Sequence, residues 1–247
     1  MPPTSWLIVG ASRGIGHEFV RQLLARGGQV YATVRNREAK HDIAYWTENL
    51  VARTNLKTYD CNVLSEDSIN GFVAKLKQDT PDLQLDCVVI NAGVLKYPNR
   101  ASEVSYDDLA FHMHTNTIGP IITAQCLLAA KIPIGTLTFI SSDSGSTGRF
   151  LENEDGFAAY GASKAALNQM ARHMAAELKR KGNSTTVICL HPGEVKTDMA
   201  NIEGLGWEIQ GQMTPEESVT QCIVTIESKE RTDSGTFWTW ENKPYPW

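Results

Sequence analysis

Seven short runs rich in β-branched and apolar residues, at 6–9, 29–34, 56–59, 85–90, 136–140, 185–190 and 235–238, most limit what this chain can fold into. Runs that stay apolar, instead of alternating with polar residues, suit strands buried on both faces of a parallel sheet. Between them lie helical patterns at 14–26, 66–77, 106–130, 158–181 and 215–228. The last opens with Thr214 as a hydroxyl cap, Pro215 at the first helical position, and Glu216 and Glu217 at the positive end of the dipole. Such alternation predicts an α/β, Rossmann-type doubly wound, mainly parallel sheet of about seven strands with helices on both faces. No repeat, low-complexity segment or linker breaks the pattern, so residues 1–247 are expected to form a single domain.

Composition narrows the function classes. A net charge of −5 provides no basic footprint for nucleic acid. No apolar run reaches the length of a membrane span, and no charged leader precedes the first run. The five cysteines (Cys61, Cys87, Cys126, Cys189, Cys222) are odd in number, scattered and without a Cys-x-x-Cys pair. That usage fits buried thiols in a reducing compartment, hence a cytoplasmic protein without nucleic-acid or membrane partners.

The first run ends in Gly10-Ala11-Ser12-Arg13-Gly14-Ile15-Gly16, where a helix begins. Glycines there let the backbone turn tightly and approach a pyrophosphate, which then sits on the helix N-terminal amides. The spacing is G-x-x-x-G-x-G and matches the commoner dinucleotide motif only in part. The same residues fit G-x-S-x-G, a hydrolase nucleophile elbow. That elbow needs an oxyanion-hole amide from an earlier strand–helix loop, and none precedes the first run, so Ser12 is a poor nucleophile. The second run closes on Val34-Arg35-Asn36-Arg37 without a carboxylate. A carboxylate there would hold a ribose 2′-hydroxyl, whereas Arg35, Arg37 and Arg13 favour the 2′-phosphate of NADP(H). The plainer alternative for Arg35 and Arg37 is a solvated helix start.

Tyr160 is the only tyrosine with a lysine four residues on, Lys164, and the pair opens a long helical pattern. Positions four apart share a helix face, and a cation near a phenol lowers its pKa toward the working range. The fifth run ends in Ser141-Ser142-Asp143, and the fourth in Asn91-Ala92-Gly93. Strand carboxyl ends are where reacting groups gather in open α/β sheets, although a serine-rich turn is the plainer account of the first. His112-x-His114 is the nearest approach to a metal pair. Residues two apart on a helix diverge, so no metal is expected.

Taken jointly, Gly10/Gly14/Gly16, Asn91-Ala92-Gly93, Asn116, Ser142, Tyr160/Lys164 and Pro192-Gly193 resemble the short-chain dehydrogenase/reductases, over essentially the whole chain. The stretches 116–120, 191–199 and 235–237, with Pro246-Trp247, look most like the C-factor and Sniffer carbonyl-reductase branch. The resemblance implies that Tyr160 protonates a carbonyl oxygen, Lys164 tunes the phenol and binds the nicotinamide ribose, and Ser142, rather than Ser141, polarises the carbonyl. Asn116 would shape its helix and hold a relay water. Cofactor contacts would come from Gly10, Ser12, Arg13, Gly14, Ile15, Gly16, Arg35, Asn91, Ala92 and Gly93. Tyr160, Lys164, Pro192, Gly193, Val195 and Thr197 would add others, with Asn62 and Val63 at the adenine and Asp60 a competing alignment. Val9 and Ile90 depart from the family pattern and put local rigidity in question.

The implied function is NADPH-dependent reduction of a small hydrophobic ketone or aldehyde by a homodimer or homotetramer. The alternatives are an NADP(H) sensor, or a scaffold recruited to a non-redox step such as cyclisation or isomerisation. Residues 148–156 lengthen the Ser142–Tyr160 spacing and could wall the substrate pocket. Apolar residues in loop-like stretches (Leu95, Tyr97, Phe150, Leu151, Met199, Ile202, Leu205, Trp207) suggest a lid.

Overall fold

Each of the apolar runs becomes a strand: β1 (Ser5–Val9), β2 (Gln29–Val34), β3 (Leu56–Asp60), β4 (Leu85–Ile90), β5 (Ile134–Ile140), β6 (Thr186–His191) and β7 (Thr236–Thr239). The structure is a computed structural model that describes residues 4–35, 54–152, 154–205 and 211–247. The strands form one sheet in the order β3-β2-β1-β4-β5-β6-β7. Every pairing is parallel, so the expected doubly wound sheet is present and its described part is wholly parallel.

The continuous apolar runs have a direct cause, because side chains alternate between two cores. On β1, Leu7 and Val9 enter one cluster while Trp6 and Ile8 enter the other. On β6, Val187 and Cys189 part from Ile188 and Leu190 in the same way. Helices α1 (Gly14–Ala25) and α6 (Pro215–Glu227) cover the Trp6 face through Phe19, Leu23, Val219 and Ile223. The other face takes α2 (Glu66–Asp79), α4 (Gly119–Ala129) and α5 (Ala158–Arg180). Burying a Leu or Ile completely contributes about 1.5–3 kcal/mol, which two packed faces multiply over many side chains. Thr214 caps α6 as expected. Its Oγ1 accepts from the Glu217 amide (3.2 Å) while Glu217 Oε2 accepts from the Thr214 amide (2.8 Å).

The helix expected over 106–130 is interrupted. It runs as α3 (Tyr106–Met113), a π-helical turn His114–Ile118, then α4. Inside the turn Asn116 and Thr117 face α5, where Thr117 Oγ1 donates to the Ser163 carbonyl at 2.7 Å. Side-chain bonds to another element hold the widened turn, a feature that often marks functional sites. From β3 the chain returns past β1 to β4, so connections diverge between these two neighbours. Ligands in such sheets bind beyond the strand carboxyl ends at this divergence. All five cysteines are free, and four of them are buried. No helix among the described residues is long and apolar enough to cross a membrane.

Candidate active site

Beyond the carboxyl ends of β1 and β4 the glycine loop and the Asn91-Ala92-Gly93 turn lock onto each other. Asn91 Nδ2 donates to the Gly10 carbonyl at 2.7 Å, and the Asn91 and Ala92 amides both donate to the Val9 carbonyl. Gly10 has φ +86°, and a Cβ there would come within 2.8 Å of the Ala92 backbone. The Gly10 amide donates to Thr33 Oγ1 at 3.0 Å, so the loop is held from β2 as well. Val9 and Ile90, the departures from the family pattern, are buried core residues beside this bracing.

A cleft of about 360 Å³ opens there. Of the expected cofactor residues, Gly10, Ser12, Arg13, Gly14, Ile15, Arg35, Asn62, Val63, Asn91, Ala92, Gly93, Tyr160, Lys164, Pro192 and Thr197 line it. Asp60 does not, which favours Asn62. Gly193 and Val195 line a second cavity instead, and Gly16 lies beneath the loop as packing. Arg37 falls outside the described residues. Lys196 and Leu64 line the cleft without having been singled out in the sequence. Arg13 reaches Asp198 at 3.5 Å in an exposed pair, which adds little and leaves the guanidinium available.

The cleft suits a dinucleotide. Helices α2, α3 and α6 are capped by Ser65, Ser105 and Thr214, but Arg13 gives α1 no side-chain cap and no acid occupies its first turn. Uncapped amides with a positive dipole end are an anion site. Deeper in, a Cβ on Gly93 would lie 3.3 Å from Asn116 Oδ1 and 3.5 Å from Lys164 Nζ, a space that only a residue lacking a side chain leaves open.

Tyr160 and Lys164 lie in the first turns of α5, where the sequence predicts them. Lys164 is 4% exposed; its Nζ donates to the Ile140 carbonyl at 2.9 Å and lies 5.8 Å from the centre of the Tyr160 ring. Burial lowers its pKa to about 8. The Tyr160 phenol shifts the other way from the expectation. Burial raises it, the Ser142 hydroxyl opposes, and the charges of Asp143, Glu194 and Glu154 raise it further. Desolvation is the largest cause, and it acts against the lowering expected from the cation one turn away.

Ser142 is the serine that touches the phenol. Ser141 instead donates to Asn168 Oδ1 at 2.6 Å, buried behind the sheet end. Asn116, fully buried, accepts from the Val94 amide (2.8 Å) and donates to the Val94 carbonyl and to Ser163 Oγ (2.9 Å each). Both Nδ2 hydrogens are used by the protein, so the side chain braces the β4 turn against α5. His112 is likewise engaged: Nδ1 pairs with the Asp108 carbonyl (2.7 Å) and Nε2 with the Lys96 amide (3.1 Å).

Tyr160 also lines the second cavity, of about 250 Å³, with Ser142, Leu95, Leu151, Phe157, Met199 and Ile202. Residues 148–156 thus supply part of its wall. Phe150 is 80% exposed and takes no part, Tyr97 packs on Phe157, and Trp207 lies outside the described residues. The apolar reading of this pocket missed Asp143, Glu154 and Glu194, which line it too.

A parallel doubly wound sheet with this Tyr–Lys pair beside a glycine loop defines a class of oxidoreductase. The family model for short chain dehydrogenases matches residues 5–204, and the chain belongs to that family. An uncharacterized oxidoreductase of Schizosaccharomyces pombe is 29% identical over 254 residues, covering 98% of this chain and 97% of the relative. Among solved structures, an NADPH-bound carbonyl reductase from chicken fatty liver is 28% identical with a TM-score of 0.86, covering all of both chains. The Drosophila melanogaster carbonyl reductase Sniffer is 26% identical with a TM-score of 0.83, covering 99% of this chain and all of its own.

Proposed function

We propose that this protein reduces a ketone or aldehyde with NADPH, Tyr160 giving the proton to the carbonyl oxygen. The observation that carries the reading is Tyr160 itself, which lines both the dinucleotide cleft and the smaller cavity, with Ser142 at its hydroxyl. The cofactor supplies a hydride to the carbonyl carbon. Ser142 holds the carbonyl oxygen, Lys164 fixes the cofactor ribose and stabilises the phenolate left after proton transfer, and Asn116 braces the site. The likeness to the NADPH-bound chicken reductase supports the choice of cofactor. The test is titration with NADPH and NADH, then a carbonyl panel followed by NADPH oxidation. Binding of neither nucleotide would sink the proposal.

Arg35 and Arg13 are assigned to the 2′-phosphate. Arg35→Ala is expected to weaken NADPH binding about tenfold, the loss of one charge-assisted hydrogen bond at an exposed site, and to leave NADH unaffected. Equal losses for both nucleotides would remove Arg35 from the phosphate.

Lys164 sets the pH dependence. Its folded pKa is lowered to about 8, so the ammonium is present below that pH and is lost as pH rises through it. With a neutral carbonyl substrate, the kcat/KM for reduction is therefore expected to be level near neutrality and to fall above about pH 8. A profile flat to about pH 10 would show that the charge plays no part.

A further inference from the structure

Three carboxylates from separate segments converge on the cavity beside Tyr160: Asp143 after β5, Glu154 in the 148–156 segment and Glu194 after β6. Ligand atoms of Asp143, Glu194 and His191 lie within 4.8 Å of one another. Among the described residues no Lys or Arg lines this cavity. His191 adds no charge, since burial lowers its pKa and holds the ring neutral.

The three acids differ in what already occupies them. Asp143 Oδ1 accepts from the Ser144 amide (2.9 Å) and from Ser142 Oγ (3.1 Å), and Glu154 Oε1 accepts from Ser144 Oγ (3.1 Å). The Glu194 carboxylate has no hydrogen bond or ion pair among the described residues. Leu95, Leu151, Phe157, Met199 and Ile202 supply apolar wall in the same cavity, beside Ser142, Tyr160 and Thr197.

This arrangement works against the chemistry next to it. Reduction builds negative charge on the carbonyl oxygen, and carboxylates nearby repel it. They also raise the phenol's pKa, as they do for Tyr160. A neutral substrate returns nothing for that cost, whereas a positively charged one pairs with the carboxylates it meets.

We propose that the substrate is a carbonyl compound carrying an apolar body and a protonated amine, and that Glu194 is the residue that selects the amine. This rests on the reductase reading of the same site. Burial and the neighbouring carboxylates push Glu194 up to about 7, and burial raises Glu154 as well. A bound ammonium would draw both back to the ionised form. Phe157 places an aromatic residue on the same wall, a side-chain type that a cation also favours. A metal ion fits less well. His191 Nδ1 accepts from the Asp143 amide at 3.2 Å, so the neutral ring keeps its proton on Nε2 and has no free lone pair.

The test uses three probes of one shape: meta-(aminomethyl)acetophenone, meta-(hydroxymethyl)acetophenone and meta-acetylbenzoate. They are presented with NADPH to the intact protein and to Glu194→Gln, and the readout is the ratio of kcat/KM between probes. The native protein is expected to favour the cation over the neutral probe by about tenfold or more, with the anion poorest. In Glu194→Gln the cation-to-neutral ratio should fall to within about twofold of unity. Equal handling of cation and neutral probe, or a ratio untouched by Glu194→Gln, overturns the proposal while leaving the reductase reading intact. A second readout does not need turnover: calorimetric binding of benzylamine against benzyl alcohol to the NADP⁺-loaded protein. If no probe is reduced but benzylamine binds selectively and Glu194→Gln abolishes that selectivity, the charge assignment stands and the reductase reading fails. If selectivity is absent there too, the charge assignment fails with it.

Discussion

Replacing Tyr160 with Phe is expected to lower kcat for carbonyl reduction by about 10²- to 10⁴-fold while NADPH binding stays within about twofold. The change deletes one oxygen and keeps the ring, which packs at 6.4 Å from Phe157. Lys164 keeps its bond to the Ile140 carbonyl, so the cofactor side of the site is undisturbed. Only the proton donor and the contact to Ser142 are lost. Because burial raises the phenol's pKa, the donor is protonated throughout the working range, and the variant should be defective at every pH rather than only at high pH. Single-turnover rates with bound NADPH would isolate the step. A loss under about tenfold would mean that another group delivers the proton. If a cellular effect of the protein persisted in the variant, its role would be that of a sensor rather than a reductase.

How far the sequence led depended on where the physical signal was stored. The strands were legible because burial on both faces leaves long apolar runs, and only their ends moved by a residue or two. The positions of the glycine loop and the Tyr160–Lys164 pair were legible because short local spacings put them at a strand end and a helix start. The π-helical turn at His114–Ile118 was not. It is held by bonds from Asn116 and Thr117 to Ser163, and nothing in the local composition announces partners 46 and 47 positions away. The direction of the Tyr160 shift is not legible in the sequence for a related reason. Spacing shows the cation one turn on, but it shows neither the desolvation nor the three carboxylates. Asp143, Glu154 and Glu194 each look like solvated loop charge, and only the fold gathers them into one wall. Of the apolar residues expected there, Leu95, Leu151, Met199 and Ile202 line the cavity, yet they account for only part of its chemistry.

Gly16→Ala is expected to destabilise the protein by about 3 kcal/mol, a fall in Tm of roughly 6–12 °C, and to abolish NADPH binding. The added Cβ would lie 2.2 Å from the Gly10 carbonyl oxygen and 2.6 Å from Asn91 Nδ2. Neither neighbour can yield alone, because Asn91 Nδ2 donates to that same carbonyl and the Asn91 amide is tied to β1. Relief therefore requires the glycine loop to move off the β4 turn, which displaces the amides of α1 from the anion site. Gly71 is the control. It sits exposed within α2, a Cβ there meets nothing within 4 Å, and its φ is not positive. Gly71→Ala is expected to raise stability by about 0.5–1 kcal/mol, because alanine loses less backbone freedom in a helix. Calorimetric melting of both variants, with and without NADPH, separates the two outcomes. A Gly16→Ala protein that melts like the native one and still gains stability from NADPH would show that the loop and the β4 turn do not need their close approach. The dinucleotide would then have to be held by side chains rather than by the backbone at the end of β1.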